Sequence, residues 1–588
     1  MSAGRAATVR HRVLRIAHGA ALAAVVTAAP ADAQSGAPGA GAREAARRAQ
    51  ARFERVRVQH LPDAPGGLGE RCDARIGRFC YWYDSTEPEP PPEPARIAHE
   101  RAALSRALDS AAARAPGDGW ITGQRVRYLV EAGHADEALA AAATCADTEP
   151  GWCAALRGLA AHADGRAATA DSAFVEALAL MVPAERCRWT DLEPLLDGRL
   201  RERYARLSCA ARDSLHRRLW WLAQPLYGRP GNPLRAEHLA RVVMARLHQH
   251  ARPALSPRWG DDLREMLVRY GWATAYTRDR VRERGVAGGS AGGGALVVGH
   301  EPRPSYHFFP THDAVETPAA ALPGSWTLDP PIAPTRYAPG LSIEPLAGQS
   351  AWFRRGDSTL VVTAYSLRGD SAFIAGADGV LALYADEHTA PVLARVAHHA
   401  AAADERAVLT ATAPWRPAIV GVEVVARDGR AARRARHGFG VPPPPAPLAL
   451  SSMLLFDPAD TLPTSLAGAL PAMRPHARAK RDERIGILWE LYGLADSARH
   501  VTVSLGAERL GGTRLVRRAA EALRLRRPIA PVVLRWGTRA ENTAGVATGS
   551  IVLRAADLAP GRYRVTVEVR DENGAAAAAH SELVVERE

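Results

Sequence analysis

The chain has 588 residues, enough for roughly three or four domains, with a hydrophobic share of 47% and a formal charge of +12. Lys480 is the only lysine, so nearly all positive charge is arginine, spread along the chain among Asp and Glu. That spread, with no zinc-finger spacing and no aromatic-rich RNA-binding run, excludes nucleic acid as the expected partner.

Arg5, Arg10, Arg12 and Arg15 precede a short apolar run over 16–29, and Ala31-Asp32-Ala33 follows. This is the pattern of a secretory signal peptide over 1–33. Removing its four arginines and one aspartate leaves +9. The run is too short to span a bilayer, and no later stretch offers about 18 uninterrupted apolar residues. The expectation is an exported protein, periplasmic or extracellular, without an integral span.

Export permits disulfides. The cysteines are Cys72, Cys80, Cys145, Cys153, Cys187 and Cys209. No C-x₂₋₄-C spacing suits zinc and no C-x-x-C suits a thioredoxin-like redox motif. The set therefore reads as three staples. Proximity favours 72–80, 145–153 and 187–209, although six cysteines leave other pairings open.

Residues 34–95 read as a short helix over 42–58, a stapled loop that buries Phe79, Tyr81 and Trp82, and an extended Pro/Glu linker. Over 96–183 two helical units repeat at an offset of 35, so that Gly123 matches Gly158, Ala135 matches Ala170, Leu139 matches Phe174 and Ala142 matches Ala177. Gly133-His134 and Asp164-Gly165 supply the turns inside each unit. Small residues at such a period resemble the tetratricopeptide repeat, with Gly or Ala where helices cross and a larger apolar residue a turn later. The resemblance implies paired helices and a groove for a protein partner. Cys145 ends one unit and Cys153 begins the next, so a bond between them would fix the angle between repeats.

Residues 184–285 read as a second helical block. Trp221, Pro230, Asn232, Glu237 and Arg241 occur in that order, then Trp259-Gly260-Asp261-Asp262 and Arg269-Tyr270-Gly271. This order resembles the GWxTD-domain proteins of bacterial exported proteomes, with Gly-Trp inverted and the Thr lost. The resemblance implies an exported protein of helical and β parts and carries over no catalytic residue.

A Gly/Pro-rich linker is expected over 286–345. Short strands bounded by Gly, Asp or Pro then recur over 346–440 and again over 441–588, with VPPPPAP between them. They predict two immunoglobulin-like antiparallel sandwiches, in which Tyr563 plays the part of a tyrosine corner. The predicted fold class is thus multidomain, all-α followed by all-β.

Chemical motifs are sparse. Arg-Gly-Asp-Ser occurs at 355–358 and 368–371, where it reads as turn chemistry rather than adhesion. Gly-rich GGSAGGG lacks the Lys-Ser/Thr of a phosphate cradle. His238, His248 and His250 form no HExxH, and no GxSxG is present. No catalytic residue, cofactor or metal is expected. The function read from these features is a non-enzymatic scaffold of the bacterial envelope that binds protein partners through its helical repeats. The alternative is an envelope hydrolase acting on peptides or glycans, with its site in 184–285.

Overall fold

The fold is described from a computed structural model. It describes residues 38–64, 72–82, 88–255, 257–279, 296–300, 306–307, 310–322, 326, 336–337, 341–399, 406–440, 448–494, 499–510, 532–540 and 545–586. The expected leader over 1–33, the GGSAGGG stretch and VPPPPAP at 441–447 lie outside the described residues. A helical N-terminal region is followed by a β-rich C-terminal region of several sheets.

Helix α1 (Pro38–His60) is longer at both ends than the predicted 42–58 and packs on α2 (Ala95–Arg114). Its alanine face buries Ala42 and Ala46 with Phe53. The same helix also buries Gln50, Glu54 and Arg57, which its thin apolar side does not announce. Between the two helices, β1 (Ala74–Ile76) and β2 (Phe79–Tyr81) form a hairpin closed by Cys72–Cys80. Only Ile76 of this hairpin is buried; Phe79, Tyr81 and Trp82 are half-buried, a correction to the expected buried loop.

Two helical pairs follow, α3 (Gly119–Glu131) with α4 (Ala135–Ala143) and α5 (Trp152–Ala163) with α6 (Ala167–Leu180). Asp118 caps α3 by accepting from the Ile121 N–H at 2.9 Å. Gly133 and Gly165 turn each pair at φ +78° and +74°. Gly158 faces the Phe174 ring so closely that a Cβ would lie 2.6 Å from it. Gly123, its counterpart in the repeat, instead lets Leu247 approach to 2.7 Å of a Cβ. Cys145–Cys153 joins the end of one pair to the start of the next.

Helices α7 (Pro183–Trp189), α8 (Gly198–Ala205) and α9 (Cys209–Ala223) follow, with Cys187–Cys209 joining α7 to α9. Helix α10 (Pro233–Gln249) starts at Asn232, whose side chain accepts from the Leu234 and Arg235 N–H groups. It lies against α3, α5 and α6, so the chain fills that face of the helical pairs with its own helix. Helix α11 (Asp261–Tyr270) ends at Gly271 with φ +99°, a backbone that favours glycine.

The predicted helical block stops there. Strand β3 (Ala275–Asp279) pairs antiparallel with β4 (Leu296–His300). A two-residue pair, β5 (Tyr306–His307) with β6 (Arg336–Tyr337), comes next. Part of the expected linker is core: Ala314, Val315, Ala321 and Trp326 are buried against the helices.

The first β unit has two sheets. One orders β11 (Val392–His398), β10 (Ala377–Tyr384), β13 (Ala418–Ala426), β14 (Ala431–Phe439) and β7 (Ser342–Pro345); the other orders β12 (Arg406–Pro414), β9 (Ser358–Ser366) and β8 (Gly348–Arg355). Leu381, Val422 and Val424 meet Val361, Tyr365 and Leu409 in the core between them. The second unit sets β18 (Arg484–Tyr492), with β15 (Ala449–Leu450), β16 (Leu454–Phe456) and β21 (Val546–Arg554) as neighbours, against a second sheet. That sheet orders β17 (Arg478–Ala479), β23 (Ala576–Val585), β22 (Gly561–Asp571), β19 (Arg499–Leu510) and β20 (Val532–Ala540). The Tyr563 hydroxyl donates to the Ala559 carbonyl at 2.6 Å, four residues upstream. The two units share an apolar seam of Phe353, Val362, Leu454, Phe456, Met473 and Leu488. Gln349 reinforces it by donating to the Leu455 and Arg474 carbonyls and accepting from the Leu455 N–H.

The glycine contacts give the first expectation. Gly158→Ala should destabilise by about 1–3 kcal/mol, because the Phe174 ring must shift within a packed crossing. Gly123→Ala should cost less, since the flexible end of Leu247 can move. Thermal melts that rank the two in the opposite order would contradict this packing account.

Candidate functional site

The residues singled out by motif do not converge on one spot; they wire α10 and α11 to their surroundings. Glu237 and Arg241, one turn apart on α10, form an ion pair at 2.5 Å. The second oxygen of Glu237 meets the Nε2 of His162 on α5, also at 2.5 Å. Burial raises the Glu237 pKa, but Arg241 and His162 outweigh it and hold the carboxyl well below its ordinary range. Arg241 also donates to the carbonyls of Val268 and Arg269, at the C-terminal end of α11. The arginine thus neutralises the carboxylate and satisfies the negative end of a helix dipole together. Arg269 itself pairs with Glu265 at 2.8 Å.

Two further motif residues, Asp262 and Tyr270, hold the disulfide hairpin. Asp261 and Asp262 occupy the first turn of α11. Asp262 accepts from the Arg78 backbone and from its Nε and Nη2, at 3.2, 2.6 and 2.8 Å. Tyr270 stacks on Tyr81 with ring centroids 3.5 Å apart. Trp259 stacks on His248 of α10 at 5.1 Å, and Gly260 precedes the helix in extended conformation. Trp221 lies elsewhere, stacked toward Tyr227 and Tyr384 at the boundary between the helices and the first β unit.

That boundary carries a dense set of buried polar contacts. Glu423 sits mid-strand in β13, 1% exposed, and accepts from the Tyr227 and Gly228 N–H groups at 2.8 Å each. Arg436 on β14 reaches the same carboxylate at 3.2 Å. It also donates to the carbonyls of Leu222, Gln224 and Pro225, which close the C-terminal end of α9. Its guanidinium lies 3.8 Å over the Tyr227 ring. Arg434, two residues earlier on the same face, donates to Pro225 and Trp326 carbonyls. Burial and then the neighbouring Arg436 pull the Arg434 pKa down to about 9, against the opposing pull of Glu423. Sequence reasoning missed this junction. Its signal was present: a lone Glu inside the otherwise apolar strand AIVGVEVVA.

The cysteines pair as proximity predicted. The histidines of α10 diverge. His238 packs on Trp220 at 5.5 Å, His248 faces Trp259 and Glu131, and the His250 carbonyl accepts from Trp120. Both Arg-Gly-Asp-Ser copies are engaged: Arg355 binds Glu490 through two hydrogen bonds, and Asp370 caps a turn at Ala372 and pairs with Arg433. Among the described residues no group of three or more His, Cys, Asp or Glu is placed to hold a metal ion. Among those residues, too, no helix is long and apolar enough to cross a membrane.

No protein-family model and no curated protein matches the chain. Solved structures with partial likeness include red sea bream transglutaminase, at 9% identity and TM-score 0.15, covering 42% of this chain and 30% of that one. Another is Bacteroides uniformis beta-glucuronidase, at 10% identity and TM-score 0.15, covering 39% of this chain and 26% of that one. The chain therefore spans less than a third of the length of either protein.

A pH expectation follows from two buried imidazoles. His216, bonded to the Tyr204 hydroxyl at 2.8 Å, is pushed down to about 4 by burial, against the opposing pull of Asp213 and Asp191. His238 is pushed down to about 3 by burial, with His216, Arg264 and Arg241 adding to the effect. Unfolded histidine titrates near 6.5. Below that pH the unfolded chain binds more protons than the fold, so stability must fall as pH falls from about 6.5 toward 4. The slope is about 1.4 kcal/mol per pH unit for each histidine, and their contribution levels off below about 3. Urea unfolding across this window should show the slope, and His216→Gln with His238→Gln should flatten it. An unchanged slope in that double variant would contradict the assignment.

Proposed function

We propose that the protein is an exported, non-enzymatic interaction scaffold of the bacterial envelope, with tetratricopeptide-like helical pairs joined to immunoglobulin-like β units. Three disulfides and the lack of a membrane-spanning helix among the described residues are consistent with export. The observation that carries the reading is the exposed apolar side chains on and just after the last repeat helix, α6. Val175 and Leu180 on α6, and Val182 in the turn between α6 and α7, are 50%, 54% and 58% exposed. Helical repeats bury their apolar faces against a neighbour, so apolar side chains left exposed at the end of an array suit a partner. Helix α10 packs on α5 and α6, so the partner surface in this reading is these exposed side chains rather than a groove.

A second reading, an envelope hydrolase, draws on the His162–Glu237 contact, because an imidazole oriented by a carboxylate is the core of a general base. Arg241 weakens that reading by sharing the same carboxylate. One experiment separates the two. Immobilised protein is offered an envelope fraction, and peptide and glycan hydrolysis is assayed in parallel. The scaffold reading expects a captured partner that Val175→Glu with Leu180→Glu releases, at least tenfold, while His162→Ala does not. Hydrolysis lost in His162→Ala but kept in the α6 variant would replace it with the hydrolase reading.

A further inference from the structure

The junction between the helices and the first β unit has a second property, independent of the scaffold reading. Four of its buried polar groups have no hydrogen-bond partner among the described residues: the indole N–H groups of Trp221 and Trp326, the Tyr227 hydroxyl and the Arg436 Nε–H. Their side chains belong to residues 8%, 7%, 3% and 3% exposed, so bulk water does not serve them. Buried polar groups are otherwise almost always satisfied, and four orphans in one seam call for a missing partner.

The chemistry of these groups restricts what that partner is. Indole N–H and guanidinium N–H can only donate, and the tyrosine hydroxyl can donate too. The guest must therefore bring acceptors. The charge points the same way. Arg434 and Arg436 share the seam with one carboxylate, Glu423, whose two oxygens are already occupied by the Tyr227 and Gly228 N–H groups. An anionic acceptor would complete the balance. The neighbours of these donors are aromatic: Trp221, Tyr227 and Tyr384 pack together with ring centroids 4.3 to 6.5 Å apart. Tyr384 is only half-buried and marks the side open to solvent. Rings with a few fixed polar groups are the usual lining of a small-molecule site.

We propose that this seam is a binding site for a small carboxylate with a flat apolar or aromatic body. The carboxylate takes the Tyr227, Trp221 and Arg436 donors, and the body lies against the Tyr384 side. The site is built jointly by α9, the 224–232 loop, β10 and β14, so its occupancy would also tighten the docking of helices on sheet.

The test is isothermal titration of the full chain with phenylacetate, with phenylacetamide as its neutral match. Saturable one-site binding by phenylacetate, at least tenfold weaker for phenylacetamide, is expected, since charge-assisted hydrogen bonds are the stronger kind. Tyr227→Phe removes one oxygen and should weaken phenylacetate binding roughly tenfold. Trp221→Phe should do the same, and Trp352→Phe, in the other sheet, should not. An unchanged far-ultraviolet spectrum and melting midpoint identify the variants that still fold, and Tyr227→Phe is the least disruptive of them. No saturable binding, equal binding of acid and amide, or equal affinity in Tyr227→Phe would each overturn the proposal and leave the donors to buried water.

Discussion

The docking of the helical region on the first β unit leans on one carboxylate, Glu423. It is buried where the helical region meets the first β unit, and it ties together a loop, a strand and a guanidinium. Taking such charges out of water costs several kcal/mol per ion unless the geometry repays it. Here both oxygens accept backbone N–H bonds, and Arg436 spends its other donors on the last carbonyls of α9. The loop so held runs on to Asn232, the cap of α10, whose own N–H donates to Asp171 of α6. The docking of the two regions and the fold of the helical region therefore share residues. Removing the carboxylate would leave two arginines side by side in dry protein without their counter-charge.

The same device recurs wherever parts of the chain meet. At the N-terminus Glu54, Arg57, Arg127 and Glu131 form a dry network between α1 and α3, with side chains 0–3% exposed. Burial raises the Glu131 pKa, yet Arg127 and Arg57 together hold it far below the usual carboxylate range. Between the β units Arg355 grips Glu490 through two hydrogen bonds, and Tyr492 donates to the same carboxylate. A planar guanidinium fork suits buried carboxylates in a way an ammonium does not. A chain with one lysine and many arginines can thus convert its charge into junctions rather than surface.

Much of the fold was legible in the sequence. The strand runs beginning at Leu360, Val380, Val408 and Ile419 alternate or cluster as buried strands must, and β9, β10, β12 and β13 lie on them. The cysteine pairs followed from proximity in the chain. Strand β20 was not anticipated; its Val533 and Leu534 are exposed, so it lacks the burial pattern that reveals a strand. The end of the helical block was misjudged because Gly271 stops α11 by backbone conformation, not by a break in hydropathy. The junction was least legible of all. Glu423, Tyr227 and Arg436 are far apart in sequence, and each alone resembles an ordinary strand or loop residue. Likewise His162 has no local signal that links it to Glu237 across two helices. Pairwise chemistry between distant segments is set by the fold, and periodicity carries no trace of it.

The most direct measurement is hydrogen exchange at the Tyr227 and Gly228 amides, in the loop that Glu423 holds. If the carboxylate locks helices to sheet, these loop amides should exchange as slowly as those of β13 itself, and Glu423→Gln should release them while leaving the core of β13 protected. Exchange at ordinary loop rates in the unaltered protein would contradict a rigid junction and with it the account of how the parts are held.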